Sequence, residues 1–198
     1  MVLPWPAQAE LQQQQENTTL FVISITTVET SDRRAARRQI RTALAEALGV
    51  LLGRDPSQYH LDPTPGRPPR LHGTTIGLSL SHESGLSVAA INLDGAVGID
   101  IVRRDIVAAA ASDWGRLARD YLGPAASERI TASSIAQRLD CVCNEWTARE
   151  ARLKCSGNAL VEWILHPDPL AHYAAQPLNL PMPFIGTLVA DSQPLCAR

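Results

Sequence analysis

A chain of 198 residues can bury one substantial core or two small ones, and 45% apolar residues argue against wholesale disorder. The formal net charge of −2 disfavours a dedicated nucleic-acid binder, which needs a strongly basic surface. No apolar run is long enough to span a bilayer, so a membrane-embedded protein is not expected.

The opening MVLPWPAQAELQQQQENTT has neither the basic start nor the unbroken apolar stretch of a secretory signal. Its glutamine run and lack of periodicity predict a flexible extension over residues 1–19. Leu20 to Ile25 is rich in β-branched residues and reads as a strand. Ser31 or Asp32 can cap a helix running to about Leu52, with Ile40, Leu44, Leu48 and Leu51 as its apolar stripe and Gly53 after its end. Asp55 to Gly73 is rich in proline, glycine and histidine and reads as a loop. Strands are expected over Ile76–His82, Leu86–Leu93 and Val97–Val102, with Asp94-Gly95 as the turn before the last.

Helical periodicity returns from about Val107 to Tyr121, again after Pro124, and from about Ala136 to Cys155, where Gly157 can stop the helix. Val161–Leu165 and Ile185–Ala190 read as strands separated by a proline-rich loop. Two halves result, residues 20–96 and 97–198, without detectable repetition between them. Cys141, Cys143, Cys155 and Cys196 lack the spacing of a zinc site, and reduced thiols in a cytoplasmic protein are expected.

Trp146, Glu150 and Lys154 are spaced four apart, so a helix stacks an indole, a carboxylate and an amine on one face. On spacing alone the Glu–Lys pair is an ordinary surface pair contributing about 0.3–0.5 kcal/mol. Asp100 changes the picture. It sits in a short apolar strand, where a carboxylate is costly unless it is paired or coordinates a cation. Two hard carboxylates from separate elements, with an amine one turn on, suit magnesium held against phosphate oxygens.

Four blocks follow one another in order: PGRPPRL (65–71), SLSHESG (79–85), VGIDIV (97–102) and WTAREARLKCSGNAL (146–160). Together they resemble the 4′-phosphopantetheinyl transferase superfamily, in its monomeric, surfactin-synthetase-activating type. The resemblance implies an α+β fold of two similar α/β subdomains related by a pseudo-twofold axis, with a coenzyme A cleft between them. It implies transfer of the 4′-phosphopantetheine arm of coenzyme A to a serine of an apo acyl or peptidyl carrier protein. Adenosine 3′,5′-bisphosphate is the other product, magnesium or manganese is the metal, and neither nucleic acid nor membrane is a partner.

By the same resemblance Asp100 and Glu150 are the metal ligands, and Glu150 is the carboxylate nearest the incoming serine. Lys154 stabilises charge at the diphosphate, and Arg67, Ser81 and His82 contact coenzyme A. An arginine of the first long helix binds the 3′-phosphate, with Arg38 and Arg41 as candidates and Arg37 open beside them. Val102 departs from the pattern, since many relatives carry a second acid there. A second basic set, Arg103, Arg104, Arg116 and Arg119, is a candidate surface for an acidic carrier protein. Two other readings compete: a non-catalytic relative that binds coenzyme A or a carrier protein, and a metal-dependent nucleotide pyrophosphate hydrolase.

Overall fold

A computed structural model describes residues 1–29, 32–55, 59, 61, 69–110, 114–164 and 168–191. It is a mixed α+β structure with two sheets. The first has four strands in the order β1-β2-β4-β3: β1 (Val2–Pro4), β2 (Leu20–Thr26), β3 (Gly77–Glu83) and β4 (Leu86–Asn92). β1 pairs parallel to β2, and the other pairings are antiparallel. The second sheet has the order β5-β7-β6, from β5 (Val97–Arg103), β6 (Ala175–Pro177) and β7 (Phe184–Ala190), all antiparallel.

Helix α2 (Arg33–Leu52) covers the first sheet. The Asp32 side chain accepts a hydrogen bond from the Arg34 amide at one end, and Gly53 takes a left-handed conformation (φ 63°) at the other. Ile40, Leu44, Leu48 and Leu51 are all buried, as the apolar stripe requires. The expectation of a loose extension fails over most of residues 1–19. β1 joins the sheet and α1 (Gln8–Gln15) packs on α2, with Leu3, Ala7 and Leu11 buried. The Trp5 indole also donates to Glu46 at 2.8 Å. Leu3, Ala7 and Leu11 recur every four residues across a strand, a bend and a helix, so neither single periodicity marks them.

The region before the last helix is more broken than its periodicity suggests. α3 (Arg104–Ala110) and α4 (Trp114–Leu117) are short, and a π-helical turn (Ala118–Leu122) ends at Gly123 before α5 (Pro124–Ala132). The long helix α6 (Ile135–Ser156) packs on β5 and β7 and ends at Gly157 with φ 72°. The strand expected at Val161–Leu165 is absent over its described part, residues 161–164. That segment is held by its tryptophan instead: the Trp163 amide donates to the Asp120 carbonyl at 2.7 Å, and its ring lies against Gly123. β6 comes from the proline-rich loop. Among the described residues no helix is long and apolar enough to cross a membrane.

The two sheets abut where β3 meets β5. Ser79 and Ser81 lie two apart on β3, and their hydroxyl oxygens accept from the amides of Ile99 (3.0 Å) and Ile101 (3.2 Å). Serine hydroxyls stand in for the carbonyls of a backbone ladder. On the face of β5 that carries Asp100, α6 comes close because Gly98 has no side chain. A Cβ there would lie 1.9 Å from the Ala151 carbonyl oxygen and 2.6 Å from the Cys155 amide nitrogen.

Candidate functional site

A cleft of about 820 Å³ opens at this junction, lined from α2, β3, β5, α6 and the residues after α6. Its floor comes from unbroken runs of two strands. Asp100, Ile101 and Val102 of β5 line the cleft, as does every residue from Ser79 to Glu83 of β3. α6 contributes Trp146, Glu150 and Lys154, the stripe spaced four apart. Trp146 also meets Tyr121 edge to face, with centroids 6.3 Å apart, and so fixes the helix against the α4–α5 region.

Asp100 is buried and tied down. Its Oδ1 accepts from the Ser81 hydroxyl at 2.9 Å and from the Lys154 ammonium at 2.7 Å. Glu150 faces the same cleft, and burial, followed by the negative charge of Asp100, pushes its carboxyl above the usual range against the pull of Lys154 and Arg149. Glu83 is raised in the same way, by burial first, with Arg33 opposing and Asp100 reinforcing. His82 lies 3.0 Å from the Ser87 hydroxyl through Nδ1. Its pKa falls to about 4, by burial first and then by Arg37, Lys154, Arg41 and Arg33, so it is neutral at pH 7.

The structure therefore brings Asp100, Glu150, Lys154, Ser81, His82 and Arg41 to one cleft. Arg38 is exposed and stands outside it. The lining arginines of α2 are Arg33, Arg37 and Arg41, spaced i, i+4 and i+8, and Arg38 is turned about 100° from that face. Arg67 lies outside the described residues; Arg70 of the same block lines the cleft. Arg33, Arg70 and Glu83 were not singled out from the sequence. Four-residue spacing back from Arg41 could have found Arg33, and alternation from Ser81 could have found Glu83. Arg70 lies in the PGRPPRL block, three residues after Arg67.

The second basic set is largely neutralised. Arg103 bonds Glu29 and Asp105, Arg104 bonds Asp140, and Arg116 bonds Asp120. Exposed pairs of this kind contribute little stability, but they cancel much of the charge that would attract an acidic partner.

Residues 96–173 match the family model of the 4′-phosphopantetheinyl transferase superfamily. That segment, somewhat under half of the chain, is where the similarity to the superfamily lies. A similar curated protein is the 4′-phosphopantetheinyl transferase HetI of Nostoc sp. (strain PCC 7120 / SAG 25.82 / UTEX 2576), 28% identical over 126 residues. The match covers 62% of this chain and 52% of that protein, so the chain spans about half the length of the curated relative. Asp100, Glu150 and Lys154 fall inside the superfamily segment, whereas Ser81, His82 and the α2 arginines lie before it.

The donor set suits the hard divalent cation expected in this superfamily. Asp100 and Glu150 offer carboxylate oxygens, and the ammonium at Asp100 is a cation already standing on one of them. Among the described residues no group of three His, Cys, Asp or Glu forms a complete cage. Magnesium does not need one, since it commonly takes one or two carboxylates and completes its shell with water and phosphate oxygen.

Proposed function

We propose that this chain transfers the 4′-phosphopantetheine arm of coenzyme A to a serine of an apo acyl or peptidyl carrier protein. The observation that carries this reading is the convergence of Asp100 from β5, Glu150 and Lys154 from α6, and the arginine face of α2 on one cleft. Carboxylates and cations lining the same cleft fit a ligand with a diphosphate and a separate phosphate.

In this reading Arg33, Arg37, Arg41 and Arg70 bind the phosphates of coenzyme A, and Arg37 and Arg41 take the role expected of Arg38 and Arg41. His82, neutral in the free protein, offers a ring nitrogen to a phosphate. Ser81 acts through Asp100 by holding its carboxylate. Asp100 and Glu150 hold magnesium or manganese, which when bound draws charge from the diphosphate and favours its cleavage. The serine oxygen of the carrier protein bonds to the phosphorus on the pantetheine side. The bond from that phosphorus to the bridging oxygen breaks, and its electron pair leaves with adenosine 3′,5′-bisphosphate. The serine proton passes to Glu150 through a water, since a carboxylate that also holds the cation would be too weak a base to take it directly.

Incubation with apo carrier protein, coenzyme A and magnesium tests this reading by intact-protein mass. The carrier is expected to gain the arm with wild-type protein, and to stay unmodified with Glu150→Gln or Asp100→Asn of preserved fold. An unmodified carrier with bound but intact coenzyme A overturns transfer in favour of the binding relative. Coenzyme A consumed without a carrier points to the hydrolase.

A further inference from the structure

Lys154 is the only lysine of the chain; all the other members of its 18 Lys and Arg residues are arginine. The one ammonium stands where a guanidinium would fit poorly. It donates to Asp100 Oδ1 at 2.7 Å, to the Ile99 carbonyl at 3.0 Å and to the Leu80 carbonyl at 3.4 Å. Three acceptors around a point suit three rotatable donors on one nitrogen, whereas the donors of arginine form a flat fork. Leu80 belongs to β3 and the other two acceptors to β5, so this single nitrogen ties the two sheets together beside the cleft.

The same contact gives the buried Asp100 a partner. That residue is only 7% exposed, too deep for an unpaired carboxylate to be tolerated. Ser81 and Lys154 both donate to Oδ1. A divalent cation approaching Asp100 therefore meets an ammonium already bound to the same group. Around it, Arg33, Arg37, Arg41, Arg70 and Lys154 outnumber the three carboxylates that line the cleft. Such a surface repels a bare dication and attracts an anion.

We infer that Lys154 is the resident counter-ion of Asp100, and that a divalent cation enters this cleft with a diphosphate and not as the bare ion. The inference rests on the reading of the cleft as a coenzyme A and cation site. Lys154 is then a positioning residue: it balances and orients Asp100 in the free protein. The diphosphate supplies the negative charge that lets the cation share the carboxylate. Removing the ammonium relieves the repulsion, while Ser81 still holds Oδ1. Repulsion between a double and a single positive charge on one carboxylate outweighs the orientation lost.

Electron paramagnetic resonance of Mn²⁺ tests this without any turnover. Wild-type protein should leave bare Mn²⁺ free at concentrations where adding coenzyme A draws it onto the protein. Lys154→Met should bind bare Mn²⁺ with a dissociation constant lower by about tenfold or more. Its melting temperature in chelator should fall, and Mn²⁺ should raise it more than it raises that of the wild type. Tight binding of bare Mn²⁺ by the wild type, or no gain in Lys154→Met, overturns the inference. If Lys154→Met does not fold, the double variant Asp100→Asn/Lys154→Met should, because the orphaned charge is gone; a double variant that stays unfolded also overturns it. Failure of the wild type to bind coenzyme A at all overturns the functional reading instead, and the bare-ion comparison still decides the role of Lys154.

Discussion

Replacing Gly98 by alanine perturbs the site without touching any group that would contact a ligand. The new Cβ would lie 1.9 Å from the Ala151 carbonyl oxygen, whereas ordinary contact begins at 3.4 Å. The shortfall is about 1.5 Å, and both nearest atoms are helix backbone, so no side chain can swing aside. Helix α6 must retreat from β5, carrying Glu150 and Lys154 away from Asp100. Overpacking of this kind costs roughly 1–3 kcal/mol, and the rigid contact places the change at the upper end. For a chain of this size that lowers the melting temperature by roughly 6–12 °C. A misplacement of about 1 Å at reacting groups costs on the order of 10²-fold in rate. Thermal melting and the carrier-modification rate measure the two effects. Gly95→Ala is the control, since its Cβ would approach nothing closer than 3.3 Å. A Gly98→Ala protein that melts with the wild type would refute the claim that α6 is seated on the bare backbone of β5.

Two further outcomes follow from the junction and the cleft. Ser81→Ala strips a partner from the buried Ile101 amide and a donor from Asp100, while Ser79→Ala strips only the partner of the Ile99 amide. Each orphaned group costs about 1–3 kcal/mol, so denaturant titration should show Ser81→Ala as the more damaging; equal losses would mean the bond to Asp100 contributes nothing. His82 supplies a pH dependence with a definite sign. Its folded pKa of about 4 lies below the ordinary 6.5, through burial first and then the positive charges of Arg37, Lys154, Arg41 and Arg33. As pH falls from about 6.5 to 4, the unfolded chain takes up a proton that the folded protein refuses, so stability drops across that window; above it His82 has no effect. Denaturation midpoints of His82→Asn should fall less steeply than wild type over the same range, and parallel curves would remove His82 as the cause.

The elements with strong local signals were legible. α2 announced itself through the Asp32 cap, the Ile40–Leu51 stripe and Gly53, and α6 through its four-residue spacing and Gly157. β1 and α1 were missed because their three buried residues serve a strand, a bend and a helix in turn, leaving no run long enough to show a period. The strand expected near Val161 failed because a tryptophan inserted against Gly123 fixes that segment in irregular backbone. At the site, Asp100, Glu150 and Lys154 were readable as residue types in ordered blocks, but the choice of Arg33 and Arg37 over Arg38 was not. That choice depends on which face α2 turns to the sheet junction.

By itself the sequence determined which side chains were on hand: a buried-strand aspartate, a helix carrying Trp146, Glu150 and Lys154, and an arginine-rich helix. Periodicity and capping act over a few residues, so they place groups on faces and no further. Only tertiary packing decided that these faces share one cleft. Gly98 lets α6 approach β5, Ser79 and Ser81 join β3 to β5, and Lys154 turns inward onto Asp100. Each of these contacts spans residues distant in sequence, and close packing, with buried polar groups needing partners, is what fixes them.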